Sequence, residues 1–329
     1  MTPQITAVIV NFNSGTELRH ALQSLVDEGS AEWEAIVVDN ASGDGSESIV
    51  ADFPRAHLIR NRVNRGFGAG VNQGLAVARA PFVLIMNPDC RLLAGALEAM
   101  RCELEAQESC AIVGPRILDP DGGVQGSARG DPDMFTGLFG RTSMLRRALP
   151  DLAVSRRNVF GGAGAGGPSI VVDWVSGACM LARRDALASV GGFDERYFLY
   201  WEDADLCRRL RARGFHARYA PAATAIHRVG QSSRTARAGS IRAFHDSAYL
   251  YYATHVARSP LNPKRMLAKA ILALRCRWRL RAALLEDAAS QEARSHGAVS
   301  HEDHEDGNPF DGPPTAAARS EDARNASRP

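Results

Sequence analysis

Several signatures are missing from this 329-residue chain, and each absence removes a class of protein. No two of the six cysteines (Cys90, Cys102, Cys110, Cys179, Cys207 and Cys276) are separated by only two residues, so neither a zinc ribbon nor a dithiol redox pair is expected. A chain of this length does not need disulfides, and its thiols read as reduced. The formal net charge is only +2, which leaves no global basic field to draw nucleic acid as a partner. No uncharged apolar run reaches the roughly 18 residues of a membrane span. The opening MTPQITAVIV has no positive n-region and runs straight into a strand-like segment, unlike a signal peptide. A cytoplasmic protein is therefore expected. No internal repeat is visible.

What is present is a globular composition, 45% hydrophobic, with a regular alternation of elements. Residues 5–12 form a β-branched run, read as a buried strand. Residues 16–28 follow with Leu18, Ala21, Leu22 and Leu25 at the spacing of one helix face. Further strands are expected at 35–39, 57–60 and 82–86, with helical segments after 46 and over 69–79. This alternation predicts an α/β fold with a parallel sheet and right-handed crossovers. In such sheets ligands bind beyond the carboxyl ends of the strands, here just after Phe12, Val38 and Met86. From about 120 to 170 Gly, Arg, Pro and Asp dominate, and the stretch reads as a mobile insertion near the site. Strand-like alternation returns at 171–183, a helix is expected at 203–213, and 216–228 close the main domain.

Five constellations could carry chemistry. Asp39 ends a strand, where its carboxylate could accept the imide N–H of a pyrimidine base; taken alone, the residues favour an Asx turn that only terminates the strand. Residues 61–74, NRVNRGFGAGVNQG, hold four glycines and three asparagines, a composition for close backbone approach to a ligand, with Arg62 and Arg65 able to meet phosphates. The G-x-G-x-x-G spacing fails there, which disfavours a dinucleotide-binding dehydrogenase. Asn87-Pro88-Asp89 ends an apolar strand, and a carboxylate with an amide oxygen suits Mg²⁺ or Mn²⁺ whose shell substrate phosphates complete. A proline turn with a capping Asp is the bland reading. Segment 191–207, GGFDERYFLYWEDADLC, sets Asp194, Glu195, Glu202, Asp203 and Asp205 among five aromatics including Trp201. Aromatic walls raise carboxylate pKa values and stack on sugar rings, and a hydroxyl attacking an anomeric carbon needs a general base. Helix capping accounts for one or two of these acids, not for the tryptophan and the paired acids together. His227, near a strand end, reads as structural unless a metal sits at Asp89.

In order, VIVNFNSG, VVDNASGDGS, NRGFGAGVNQG, LIMNPD, WVSGACMLARR, VGGFDERYFLYWEDADLCRRLRARGF and HRVGQS resemble the family 2 glycosyltransferases of GT-A fold, and among them bacterial rhamnosyltransferase-like enzymes of cell-envelope polysaccharide assembly. The resemblance spans roughly residues 5–255. It implies a GT-A catalytic domain over 1–255 and an inverting transfer from a nucleoside-diphosphate sugar to a glycan or lipid-linked saccharide. It implies nucleotide-sugar contacts at Asn11, Asn13, Asp39, Asn64, Arg65, Gly66, Asn87 and Trp201. It implies a divalent metal, Mg²⁺ or Mn²⁺, at Asp89 and His227, and a general base at Asp203 with Glu202 as its neighbour. Asn87 stands where the family's metal motif usually begins with an acid.

Residues 261–285 hold seven Lys or Arg and no acid, with Leu267, Ile271, Leu274, Trp278 and Leu285 on one helical face flanked by Arg275 and Arg279. That pattern suits a helix lying on an anionic membrane, on the inner face of the cell membrane, or one packed on the catalytic domain with a solvated basic side. From 286 the chain holds ten acids, four basic residues and few large apolar ones, a composition read as disordered, with the run His301 to Asp306 solvated. Two other functions compete. A nucleotidyltransferase would want a lysine-bearing glycine loop after the first strand, and VNFNSG has none. A non-catalytic sugar-nucleotide binder would have no use for the Glu202–Asp203 pair.

Overall fold

A computed structural model of the chain describes residues 3–29, 32–131, 166–228 and 237–299. The run ITAVIVN forms β1 (Ile5–Asn11), buried from end to end. Its pleat divides it: Ile5, Ala7 and Ile9 face one hydrophobic layer, Val8 and Val10 the other. On the first side lie α1 (Glu17–Asp27), through Leu18, Leu22 and Leu25, and α3 (Ala96–Ala106), through Leu97, Met100 and Leu104. On the second lie α2 (Phe67–Val77), α4 (Arg184–Ser189) and α5 (Glu202–Arg211), through Val71, Leu187, Leu206 and Leu210. The result is three layers, with each fully buried Leu, Ile or Val contributing roughly 1.5–3 kcal/mol.

The sheet also contains β2 (Trp33–Asp39), β3 (Ala56–Arg60), β4 (Phe82–Met86), β5 (Cys90–Leu92) and β6 (Cys110–Leu118). Later in the chain come β8 (Ile170–Val172), β10 (Cys179–Arg183) and β11 (His216–His227). Strand order is β3-β2-β1-β4-β10-β6-β11-β5, with β8 also on β11. A separate ribbon pairs β7 (Ala128–Arg129) with β9 (Trp174–Val175). Strands β1 to β4 pair parallel, as their alternation with helices predicts, and so do β6 and β11. The sheet is nonetheless mixed, because β10 runs antiparallel between β4 and β6. It enters from the ribbon at the carboxyl edge and so must run back down the sheet. The carboxyl ends of β1, β2, β4, β6 and β11 and the start of β10 therefore share one edge.

One reading of the sequence is corrected by this arrangement, and another gains a structural reason. Residues 120–131 and 166–172 are ordered, into a tight reversal, β7 and β8, so that part of the expected mobile insertion is structure; residues 132–165 lie outside the described residues. The glycines of 61–74 serve packing. A Cβ at Gly74 would strike Val8, one at Gly70 would come within 2.9 Å of Val10, and one at Gly66 (φ 87°) would strike the Phe198 carbonyl. Close approach of α2 to β1 gives Gly70 and Gly74 a packing role, and the Phe198 carbonyl gives one to Gly66.

The chain divides into residues 1–281 and 282–329. After β11 come α6 (Arg237–Tyr251), a π turn (Tyr252–Val256) and α7 (Pro263–Val299). Helix α7 continues past residue 286, where the composition changes, and the run His301 to Asp306 lies outside the described residues. No helix among the described residues is long and apolar enough to cross a membrane. All six cysteines are free thiols.

Candidate active site

At the carboxyl ends of β1 and β2, Asn11 and Asp39 are register partners. Asn11 Nδ2 donates to Asp39 Oδ1 (2.8 Å), to Ser46 Oγ (2.9 Å) and to Ser42 Oγ (3.2 Å), while its Oδ1 accepts from Ser14 Oγ. The Ser42 amide donates to Asp39 Oδ2 (3.1 Å). Asn13, in the left-handed region at φ 49°, accepts from the Gly43 amide at 2.8 Å. Asp44 accepts from the Gly15 amide and from the Ser46 hydroxyl. Both strand ends are thus tied into one network, with Asn11 fully buried and Asp39 4% exposed. Asn11 presents nothing to solvent and holds the loop that carries Asn13.

The adjoining loop is stitched to the 193–201 segment, which sequence reading placed separately. Asn72 donates to the Phe193 carbonyl (2.9 Å) and accepts the Phe193 amide (2.8 Å), and the Phe67 amide donates to the Phe198 carbonyl. Asn64 accepts from the Gly66 amide, and the Gly66 carbonyl accepts from Asn40. Arg65 pairs with Glu195 at 3.4 Å, both nearly half exposed.

A second corner forms at the ends of β4 and β11. The Asn87 amide N–H donates to the Ala178 carbonyl, and the Arg228 amide to that of Asp89. His227 Nε2 lies 3.2 Å from Asp89 Oδ1 and 3.3 Å from Asn87 Nδ2. Its Nδ1 lies 3.1 Å from Gln125 Oε1. The Asp89 and His227 side chains are nine-tenths buried. Among the described residues no group of three or more His, Cys, Asp or Glu could hold a metal. The donor set here is one carboxylate, one imidazole nitrogen and the amide of Asn87, which suits a cation that takes its remaining ligands from a bound phosphate.

The third corner is the start of α5. Glu202 is buried (5% exposed) and its Oε2 has no partner. Burial, then repulsion from Asp203, pushes its carboxyl far above the usual glutamate range. Asp203 is only half-buried, accepting from the Gly177 amide (3.0 Å) and the Ala204 amide (2.8 Å). Burial also raises its pKa, opposed by those two amides and by the charge of Arg129. The adjacent peptides 177 and 178 join this corner to Asn87. Tyr200 connects them again: burial, then the charges of Glu202 and Asp89, raise its phenol. Tyr200 and Trp201 both have positive φ (68° and 71°), a strained turn that sets the acids at the helix start. The half-buried Trp201 ring packs on Phe244 and Tyr251 of α6; Phe198 and Tyr200 are the exposed aromatics of this segment.

Sequence reasoning missed Gln125, Arg129 and the Gly177 amide. Only Gly177 lay in a motif, WVSGACMLARR, and nothing local marks any of the three.

Fold and site together define a glycosyltransferase. The chain belongs to glycosyl transferase family 2, whose profile matches residues 6–190; that of glycosyl transferase family group 2 matches residues 152–279. It is 32% identical over 301 residues to the N-acetylglucosaminyl-diphospho-decaprenol L-rhamnosyltransferase of Mycobacterium tuberculosis, across 86% of this chain and 95% of that one. Among solved structures it resembles the mannosyltransferase PcManGT of Pyrobaculum calidifontis in complex with GDP-Man and Mn²⁺ (TM-score 0.52, 20% identity, 91% of this chain and 80% of that one). It also resembles GalNAc-T7 with UDP, GalNAc and Mn²⁺ (TM-score 0.54, 15% identity, 79% of this chain and 52% of that one). The fold is GT-A, as the motifs implied.

Proposed function

We propose that the enzyme moves a sugar of the rhamnose class from a nucleoside-diphosphate donor to a hydroxyl of a lipid-linked or cell-envelope saccharide, with inversion. The relative across most of the chain is a rhamnosyltransferase whose name specifies a diphospho-decaprenol acceptor, and the two structural neighbours hold sugar nucleotides or their parts with Mn²⁺. The observation that carries the mechanism is the contrast between adjacent acids at the start of α5. Glu202 is sealed and burial pushes its carboxyl well up; Asp203 is reachable, and burial raises its pKa too, which makes its carboxylate a stronger proton acceptor. Asp203 takes the acceptor hydroxyl's proton as that oxygen bonds to the anomeric carbon. The bond to the diphosphate oxygen breaks, and the diphosphate leaves with the electron pair. One displacement inverts the centre without the glycosidase pair of carboxylates. Asp89 and His227 would hold Mg²⁺ or Mn²⁺, with Asn87 beside them, and that cation neutralises the leaving diphosphate when bound. Asn13, Asp39, Asn64, Arg65 and Gly66 line the nucleotide side. Asp203→Asn tests this: turnover should fall roughly 10²- to 10⁴-fold, while the melting shift given by the donor with metal stays. Retained turnover removes Asp203 as the base.

The same reading places the enzyme at a membrane surface by way of α7. Met266, Leu267, Leu274 and Trp278 are 70%, 59%, 64% and 61% exposed, on a segment whose only charges between 261 and 281 are basic. An amphipathic helix with a tryptophan and flanking arginines fits an anionic bilayer. Co-sedimentation with anionic vesicles should be lost in Trp278→Glu; equal binding by the two proteins would refute it.

A further inference from the structure

Gln125 lies in the reversal that follows β6, a stretch in which sequence pattern marked no functional residue. The turn Asp119-Pro120-Asp121-Gly122-Gly123 closes with the Asp119 amide donating to the Gly123 carbonyl (2.7 Å) and the Gly122 amide to that of Asp119 (2.9 Å). The chain returns beside β6: Val124 bridges Leu118, and the Gln125 amide donates to the Ile117 carbonyl (2.8 Å). Leu118 is also the register partner of Ile226 in β11. The reversal thereby brings Gln125 level with His227, 102 residues away in sequence, with only 7% of the glutamine exposed.

The carboxamide of Gln125 meets three groups. Its Nε2 lies 2.7 Å from the His227 carbonyl oxygen and 2.8 Å from Asp119 Oδ1. A carbonyl and a carboxylate only accept, so this end of the side chain must be the NH₂. The other end is then the carbonyl oxygen, and it lies 3.1 Å from His227 Nδ1. An oxygen facing that nitrogen requires a hydrogen on it. Nδ1 therefore keeps its proton, and Nε2 is the nitrogen that gives a lone pair once a cation takes the place of the hydrogen that Nε2 shares with Asp89 Oδ1 in the metal-free chain. Nε2 is the atom that faces Asp89 and Asn87.

We propose that Gln125 is a positioning residue for the divalent cation: it fixes the tautomer and ring orientation of His227 so that Nε2 and the Asp89 carboxylate address one ion. The inference rests on the reading that Asp89 and His227 hold that ion. Partners of this kind raise ligand basicity and hold ring orientation, and their loss typically lowers metal affinity by about 10–100-fold. Asp119 enters one step further out, since its carboxylate decides which way the glutamine amide faces.

Two measurements test it without turnover. Histidine side-chain ¹⁵N NMR of the metal-free chain should show a hydrogen on His227 Nδ1, whether or not Nε2 also carries one toward Asp89; a ring with its hydrogen on Nε2 alone would overturn the assignment. Mn²⁺ affinity, read by electron paramagnetic resonance with thymidine diphosphate and with uridine diphosphate, should fall about 10–100-fold in Gln125→Met. It should recover in part in Gln125→Glu, whose carboxylate still accepts from Nδ1 although it faces Asp119. A lowered melting temperature in Gln125→Met with unchanged Mn²⁺ affinity would leave the residue merely structural and refute the proposal. Absence of Mn²⁺ binding in the unaltered chain would instead refute the cation reading, and the inference with it, whatever the tautomer.

Discussion

The two ends of the site treat polar side chains in opposite ways. At β1 and β2, Asn11, Ser14, Asp39, Ser42 and Ser46 satisfy one another within a closed network. At β4, β11 and the start of α5, some groups of the same kinds are left short of partners. Glu202 Oε2 has no partner, and the half-buried Asp203 receives only two backbone amides. A buried polar group left unpaired costs about 1–3 kcal/mol, so a fold tolerates it mainly where something else is gained. The closed end shapes the loops; the open end is poised for chemistry. The comparison separates residues that build the site from residues that would act in it, a separation that residue type does not reveal.

Three substitutions can break or sharpen that contrast. The largest effect is expected in the closed end: Asn11→Leu removes an NH₂ shared among Asp39, Ser42 and Ser46 and an oxygen that accepts from Ser14, all at a fully buried position. Urea denaturation should show a loss of about 2–4 kcal/mol. A loss below about 0.5 kcal/mol would mean the network is not what holds these loops. Asp89→Ala comes next and acts at the open end. A nucleotide with Mn²⁺ at a hundred times its dissociation constant should stabilise the unaltered chain by about 2.7 kcal/mol, and the metal-dependent part of that gain should vanish in the variant. An equal melting shift in both proteins, with metal and with chelator, would remove Asp89 from the cation site.

The smallest effect has the opposite sign. Glu202 is raised above its unfolded value by burial and by Asp203. Between the unfolded and folded pKa values the native state holds a proton that the unfolded chain has released, so stability falls as pH rises through that window. Glu202→Gln removes the titration. It should raise the melting temperature at neutral pH, by about 2–4 °C for each kcal/mol recovered, and flatten the decline of stability with pH. A lower melting temperature at pH 7 would show that the ionised carboxylate has a partner there after all.

Much of the frame was legible in order along the chain. Apolar periodicity located β1 to β4 and α1 within a residue or two, because a strand with both faces covered must read as a continuous β-branched run and an amphipathic helix as a spaced stripe. The same local reasoning did not reveal that Gly70 and Gly74 let α2 approach Val10 and Val8. Nor did it show the packing partners of Trp201, since Phe244 and Tyr251 lie more than forty residues away. It also passed over residues 119–131, where turn-forming composition hid an ordered reversal.

Taken alone, the sequence determined the fold class, the family, and which strand ends would carry polar groups, since hydrophobic period and motif order are local properties written along the chain. The tertiary structure decided how those groups are used. Hydrogen-bond partnership depends on atoms within about 3 Å that can come from anywhere in the sequence. Only the folded arrangement closes Asn11 into a network, seals Glu202 while leaving Asp203 reachable, and brings Gln125 to His227.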